Sequence, residues 1–123
     1  MGFDESLGRY NAMHASAPIG RRLTESGDLV LGLSGDLEMK TSTDIAPVIE
    51  SALLECPMRG RFVLDLSQVG YVSSTGVGLL ANTMVSAEKR SVTLVLLDIT
   101  PRVRSVMDAL GLLFFFTLEE SNG

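Results

Sequence analysis

Two short apolar runs constrain this chain more than any other feature. Phe62 to Leu66 and Val92 to Leu97 are almost wholly apolar, and each is followed by residues spaced for a helix. After the first run, Val77, Leu80, Ala81, Met84 and Val85 fall at i, i+3, i+4, i+7 and i+8. After the second, Val103, Val106, Met107 and Leu110 repeat that spacing. A strand that returns through a helix lies parallel to the next strand, and a fully apolar strand belongs in a sheet covered on both faces. The rest of the chain fits this frame. Ile19 to Thr24 and Leu29 to Leu33, joined across Ser26-Gly27-Asp28, read as a β-hairpin, with Arg21 and Arg22 marking an edge strand. Ile45, Val48, Ile49, Ala52, Leu53 and Cys56 line a helix that should start near Thr43 or Asp44, because Pro47 fits best in a first turn. Pro57 and Gly60 end it. Thr100-Pro101 opens a third helix, Gly111 closes it, and Leu112 to Leu118 reads as the last strand. The order β-β-α-β-α-β-α-β is an α/β fold: a mostly parallel central sheet with an edge hairpin strand and helices packed on it.

Length and composition narrow the function. At 123 residues and 46% hydrophobic content the chain makes one globular domain with its own core. A net charge of −5 argues against a nucleic-acid partner. No apolar run is long enough to span a bilayer, so membrane insertion is not expected. The lone Cys56 points to a reducing, cytoplasmic setting and, on an apolar helix face, to a buried thiol. One histidine, His14, and one cysteine far from it leave no basis for a metal site, and no cofactor is expected. Residues 1–17 form an N-terminal extension. Phe3, Leu7, Tyr10 and His14 would line one face of a short helix, and Gly8 weakens that pattern enough to leave a flexible segment open. The domain proper spans residues 18–118, and 119–123 are a tail.

The chemistry gathers between the first apolar run and its helix. Ser73, Ser74 and Thr75 stand at the helix N-terminus, followed by Gly76 and Gly78. Unpaired N–H groups and the positive end of the helix dipole favour an anion there, a phosphate included. Ser and Thr are also the ordinary capping residues. Two glycines in a first turn imply a close approach to the backbone. The outer face of this helix should carry Thr75, Leu79, Asn82, Thr83 and Ser86, with Leu79 its one large apolar residue. No catalytic residues are expected: Gly-x-Ser-x-Gly is absent, and the only histidine base lies in the extension. Asp65, late in a central strand, has the position of a receiver-type acceptor. The first strand supplies no acidic residues to bind Mg²⁺ beside it, so Asp65 is expected to bond local backbone.

Four stretches carry a family resemblance: GDLEMKTSTDI at 35–45, FVLDLSQVGYVSSTGVGLL at 62–80, LVLLDITPRVRSVMDALGL at 94–112, and the strand after them. They resemble the STAS domain, and within it the bacterial anti-sigma factor antagonists. The resemblance implies a non-catalytic cytoplasmic regulator of transcription that works by partner switching. Its partner would be an anti-sigma factor with serine kinase activity, and a phosphatase would reverse the modification. The family loop reads Asp-Ser-Ser/Thr-Gly, with the first hydroxyl after the Asp phosphorylated. Here Ser74 matches that acceptor, ahead of Thr75 and Ser73; Gly76 matches the glycine, and Ser73 stands where the Asp is expected. The implied partner surface is Ser73, Ser74, Thr75, Gly76, Leu79, Asn82 and Thr83, with Glu38 and Thr41 from the first stretch. The resemblance also implies a final helix, for which Leu118 to Gly123 leaves little room. The alternative role is a non-catalytic STAS subunit of another assembly, a stress-signalling complex or a lipid-transport system.

Overall fold

A computed structural model describes residues 1–121. Its elements are α1 (Phe3–Met13), β1 (Gly20–Leu23), β2 (Leu29–Ser34), α2 (Met39–Leu54), β3 (Arg61–Gln68), α3 (Ser74–Lys89), β4 (Thr93–Leu97), α4 (Pro101–Ala109), a 3₁₀ turn (Leu113–Phe115) and β5 (Thr117–Glu119). The five strands lie in the order β1-β2-β3-β4-β5, with β1 antiparallel and the others parallel. The expected α/β architecture with an edge hairpin strand is therefore present. Of the tail at 119–123, Asn122 and Gly123 lie outside the described residues.

Each crossover moves one strand further in the same direction. Right-handed connections then put every crossover helix on the same face. Leu29, Leu31 and Leu33 of β2, Phe62, Leu64 and Leu66 of β3, and Leu94 and Leu96 of β4 all point to that face and join residues of all four helices in one core. This corrects the expectation that the apolar strands are covered on both sides. On the other face Val30, Val63 and Val95 form a separate small cluster with Leu97 against it. Arg61 bridges the strands there. Its Nε donates to Asp28 Oδ2 at 3.1 Å, and its two terminal nitrogens donate to the Glu119 carboxylate at 2.9 and 2.8 Å. Glu119 is on β5, so the guanidinium reaches across β4.

Three local departures have identifiable causes. First, α2 begins at Met39, ahead of Thr43 or Asp44, with Glu38 as an extended N-cap residue that makes no side-chain cap bond. Pro47 is tolerated inside the helix because it lies on the exposed side, where water can reach the carbonyl it leaves unpaired. Second, Leu112 to Leu118 is not one strand. Gly111 adopts φ 70°, and the amide of Leu112 bonds the Met107 carbonyl at 3.0 Å. This reversal continues into the 3₁₀ turn and leaves three residues for β5. Third, α1 is a formed helix, with Phe3, Ser6 and Tyr10 buried. Ser6 Oγ lies 3.2 Å from Ser51 Oγ, His14 Nε2 lies 3.0 Å from Asp44 Oδ2, and Asn11 makes two hydrogen bonds to Ile19. Hydrogen bonds from Lys40 and His14 hold the Asp44 carboxyl below its ordinary range. Cys56 is buried, which pushes its thiol pKa up.

Candidate functional site

The hydroxyl cluster lies at the carboxyl ends of the parallel strands, where chain connections meet helix N-termini. Three connections are stitched together there. From the β2–α2 connection, Leu37 is fully buried and forms a lone parallel bridge with Val72. Its amide donates to the Tyr71 carbonyl at 2.9 Å, and its carbonyl accepts from the Ser73 amide at 3.0 Å. From the β4–α4 connection, Thr100 caps α4 by accepting from the Val103 amide at 3.4 Å, and its hydroxyl donates to the Val69 carbonyl at 3.1 Å. Val69 and Val72 anchor the loop in the core.

Within this frame the two adjacent serines have opposite surroundings. Ser73 is the N-cap of α3. Its Oγ accepts from the Gly76 amide at 3.2 Å and donates to the Leu37 carbonyl at 3.1 Å. The hydroxyl is therefore used on both its donor and acceptor sides by the fold. Ser74 is the first residue of α3 and is exposed; among the described residues its hydroxyl makes no hydrogen bond. Thr75 is half-buried. Gly76 is buried against the loop: a Cβ there would lie 2.5 Å from the Leu37 carbonyl oxygen. The close approach expected from the glycines is thus an approach of the chain to itself at Gly76, and a Cβ at Gly78 would meet open space. Tyr71 borders the loop and carries Arg102 of α4 over its ring at 5.0 Å.

The helical phase of α3 differs from the spacing argument. Gly76, Val77, Leu80, Thr83 and Ala87 are the buried line, whereas Val85 is 44% exposed. Thr83, expected on the outer face, is only 5% exposed, with its hydroxyl satisfied by the Leu79 carbonyl at 2.8 Å. Leu79 is also corrected: it is half-buried and packs on the core. With Ala46, Ile49, Leu53 and Thr83 it lines a shallow groove of about 100 Å³ between α2 and α3, edged by Glu50, Asn82 and Ser86. Gly76 lets α3 approach Leu37 closely, and Thr83 faces α2 across this groove. Hydropathy spacing cannot see that preference for size over polarity.

Asn82 and Glu38 are exposed and Thr41 is half-buried. Glu38 follows Leu37 directly, so it stands beside the loop that fixes Ser73. Asp65 is half-buried and accepts from the Ser67 amide at 3.0 Å, the local backbone bond expected of it. Among the described residues no three His, Cys, Asp or Glu side chains gather as a metal site, and no helix is long and apolar enough to cross a membrane. The residue that sequence reasoning undervalued is Leu37. Its signal was an isolated leucine in a polar connection, between Gly35-Asp36 and Glu38.

The family model for the STAS domain matches residues 22–123, and the chain belongs to that family. The helix α1 precedes the matched residues. Solved structures agree in fold. An anti-sigma factor antagonist from Mycobacterium paratuberculosis superposes with a TM-score of 0.68 at 24% identity, over 84% of this chain and 85% of that one. The unphosphorylated anti-sigma factor antagonist SpoIIAA gives 0.66 at 21% identity, over 85% and 88% of the two chains. The phosphorylated form of SpoIIAA, a Bacillus cell fate determinant, gives 0.62. A sulfate transporter family protein from Wolinella succinogenes gives 0.64 at 17% identity, over 80% of each chain. At these identities the likeness is one of fold.

Proposed function

We propose that this chain is an anti-sigma factor antagonist, a non-catalytic cytoplasmic protein that binds an anti-sigma factor with serine kinase activity. Phosphorylation at Ser74 switches that binding, and a phosphatase resets it. The STAS domain of residues 18–118 carries the function, with α1 packed on it as an added element. One observation carries the reading. Of two neighbouring serines, Ser73 is occupied by the fold and Ser74 is exposed with its hydroxyl free. The existence of SpoIIAA in both unphosphorylated and phosphorylated forms supports a switch of this kind in the same fold.

The mechanism follows from charge and position. A phosphate on Ser74 adds about −1.5 to −2 charge at neutral pH. At the first residue of a 16-residue helix it meets unpaired amides and the positive end of the dipole, so the fold tolerates it. A partner seated on Ser74, Thr75, Asn82 and Glu38 would instead have to bury that charge or face it with its own acidic groups, and would be released. The test is incubation with ATP and an anti-sigma factor kinase that co-purifies with the chain, followed by peptide mapping. Phosphate on Ser74, and loss of the complex once it is incorporated, is the expected result. Phosphate only on Ser73 or Thr75 refutes the register.

One observation favours the alternative, a STAS subunit of another assembly. Ser73 replaces the family Asp and is held inside the loop, where it presents no carboxylate to a kinase. Affinity capture separates the two readings: recovery of a transporter or stress-signalling assembly, with no anti-sigma factor, selects the alternative.

A further inference from the structure

Helices α2, α3 and α4 all begin at the end of the domain that carries Ser74, and three cations stand on their first two turns: Lys40 of α2, and Arg102 and Arg104 of α4. Lys40 donates to Asp44 at 3.1 Å, and Arg104 lies 4.0 Å from Glu120. Arg102 is exposed, and among the described residues no carboxylate lies within ion-pair distance of it. Acids are not in short supply. Asp36 and Glu38 flank Leu37 beside the loop, and the chain has 15 acidic side chains against 10 Lys and Arg.

What holds Arg102 is the ring of Tyr71, whose centroid lies 5.0 Å from the guanidinium carbon. The stitching of the loop positions both residues. The Tyr71 carbonyl accepts from the Leu37 amide at 2.9 Å, and Thr100, two residues before Arg102, donates to the Val69 carbonyl at 3.1 Å. A guanidinium over a ring turns its face to the π-system and keeps its N–H edges for an acceptor. Arg102 is thus a cation fixed in place whose charge the fold leaves unpaired.

We propose that Tyr71 and Arg102 anchor the partner on this surface, and that the partner presents a carboxylate to the Arg102 guanidinium. The inference deepens the reading of Ser74 as a switch and rests on it. Tyr71 precedes Ser74 by three residues, so their Cα atoms lie at most about 11 Å apart. A standard interface covers roughly 800 Å² per partner, a disc of about 16 Å radius. A protein seated on Ser74 therefore covers Tyr71 and the arginine held on its ring. Tyr and Arg are among the side chains that most often carry binding energy at such contacts, whereas Leu79 is committed to the core. Charge selects the carboxylate. Asp36 and Glu38 on the β2–α2 side oppose an acidic group there, so the acidic group of a partner is steered to the α4 side, where Arg102 waits unpaired. A phosphate on Ser74 then acts on this contact: it adds a second anion that competes for the cation and repels the partner's carboxylate.

The test titrates the full chain with the anti-sigma factor kinase that co-purifies with it, by calorimetry at about 50 and about 300 mM salt. Arg102→Gln should weaken binding at least about tenfold at the lower salt, and should flatten the loss of affinity that salt causes in the unmodified chain. Arg102→Lys keeps the charge without the planar fork and should recover part of the loss, and Tyr71→Leu should weaken binding several-fold. Arg104→Gln, on the same helix, should leave the affinity within about twofold. Arg102 is exposed, so its variants keep the denaturation midpoint of the unmodified chain. Undiminished affinity of Arg102→Gln overturns the proposal, as does a loss equal at both salt concentrations, while phosphate mapped to Ser74 would still uphold the switch. If the kinase binds and leaves Ser74 unmodified, the switch fails and the loss in Arg102→Gln still upholds the anchor. Should affinity capture recover a different assembly, the same titration with that assembly decides the anchor alone.

Discussion

At the carboxyl ends of the strands, side-chain hydroxyls do the joining: Ser73 ties α3 to Leu37, and Thr100 ties α4 to Val69. At the amino-terminal ends the chain turns by backbone geometry. Arg59, Ser91 and Gly111 take left-handed φ values of 68°, 56° and 70° there, and Gly35 and Asp98 take 82° and 55° at the carboxyl ends, so it is the hydroxyl bonds rather than the reversals that set the two ends apart. Arg61, the first residue of β3, is held there by Asp28 and reaches along the bare face of the sheet to Glu119, the last residue of β5. The contrast follows from helix polarity. Helix N-termini present free amides that Ser and Thr side chains satisfy, whereas C-termini present carbonyls that backbone reversals satisfy. One end is thus built of neutral, directional hydrogen bonds around a free hydroxyl. The other turns by backbone reversal and exposes Phe114 and Phe115.

The largest effect should come from adding one methyl group at the stitched end. Gly76→Ala places a Cβ 2.5 Å from the Leu37 oxygen and should destabilise by about 2–3 kcal/mol in denaturant unfolding. A neutral result would mean that the loop is not locked. Ser73→Ala removes the cap and one partner of the Leu37 carbonyl, and should cost about 1–2 kcal/mol by the same measurement. Gly78→Ala, in the same turn but with open space around it, should stabilise by about 0.5–1 kcal/mol through helix propensity. The sign difference between the two glycines is the sharpest test of which side of α3 faces the loop.

The Arg61–Glu119 ion pair should respond to acid. Hydrogen bonds from Arg61 hold the Glu119 carboxyl below its ordinary range. A carboxyl lowered on folding contributes stability that is full above its unfolded value and lost as pH falls through the folded one. Glu119→Gln should therefore flatten the acid limb of the stability–pH curve measured by thermal unfolding, while Ser73→Ala should lower the curve without changing its slope. The effect is modest because Glu119 is partly exposed. Smallest of all, Ser74→Ala should change stability by less than about 0.5 kcal/mol and yet abolish phosphate incorporation. A large stability loss there would contradict the free hydroxyl on which the proposed switch rests.

The fold was legible in the chain to the extent that it rests on local rules. Thr100-Pro101 and Gly111 announced α4, and the apolar runs announced β3 and β4. The candidate loop was legible as a place, because three hydroxyls before a helical pattern mark a helix N-terminus. Errors arose where long-range packing overrode hydropathy. Thr83 is buried because its hydroxyl bonds within its own helix, and Val85 is exposed because α3 presents its small residues to the inside. Likewise Pro47 predicted a late start for α2, but its exposed position made the missing hydrogen bond cheap.

Sequence by itself determined the order of strands and helices from β1 to β5, the hairpin edge and the site of the hydroxyl cluster, because periodicity, caps and turns act over a few residues; α1 it left open. Only the tertiary structure decided which serine is available. Ser73 and Ser74 are chemically identical neighbours, and they differ because a carbonyl 36 residues earlier, on Leu37, takes the hydrogen bond of one and leaves the other to solvent. The bare second face of the sheet was decided in the same way: it depends on the direction of three successive crossovers, a property of the assembled sheet that no single stretch of chain encodes.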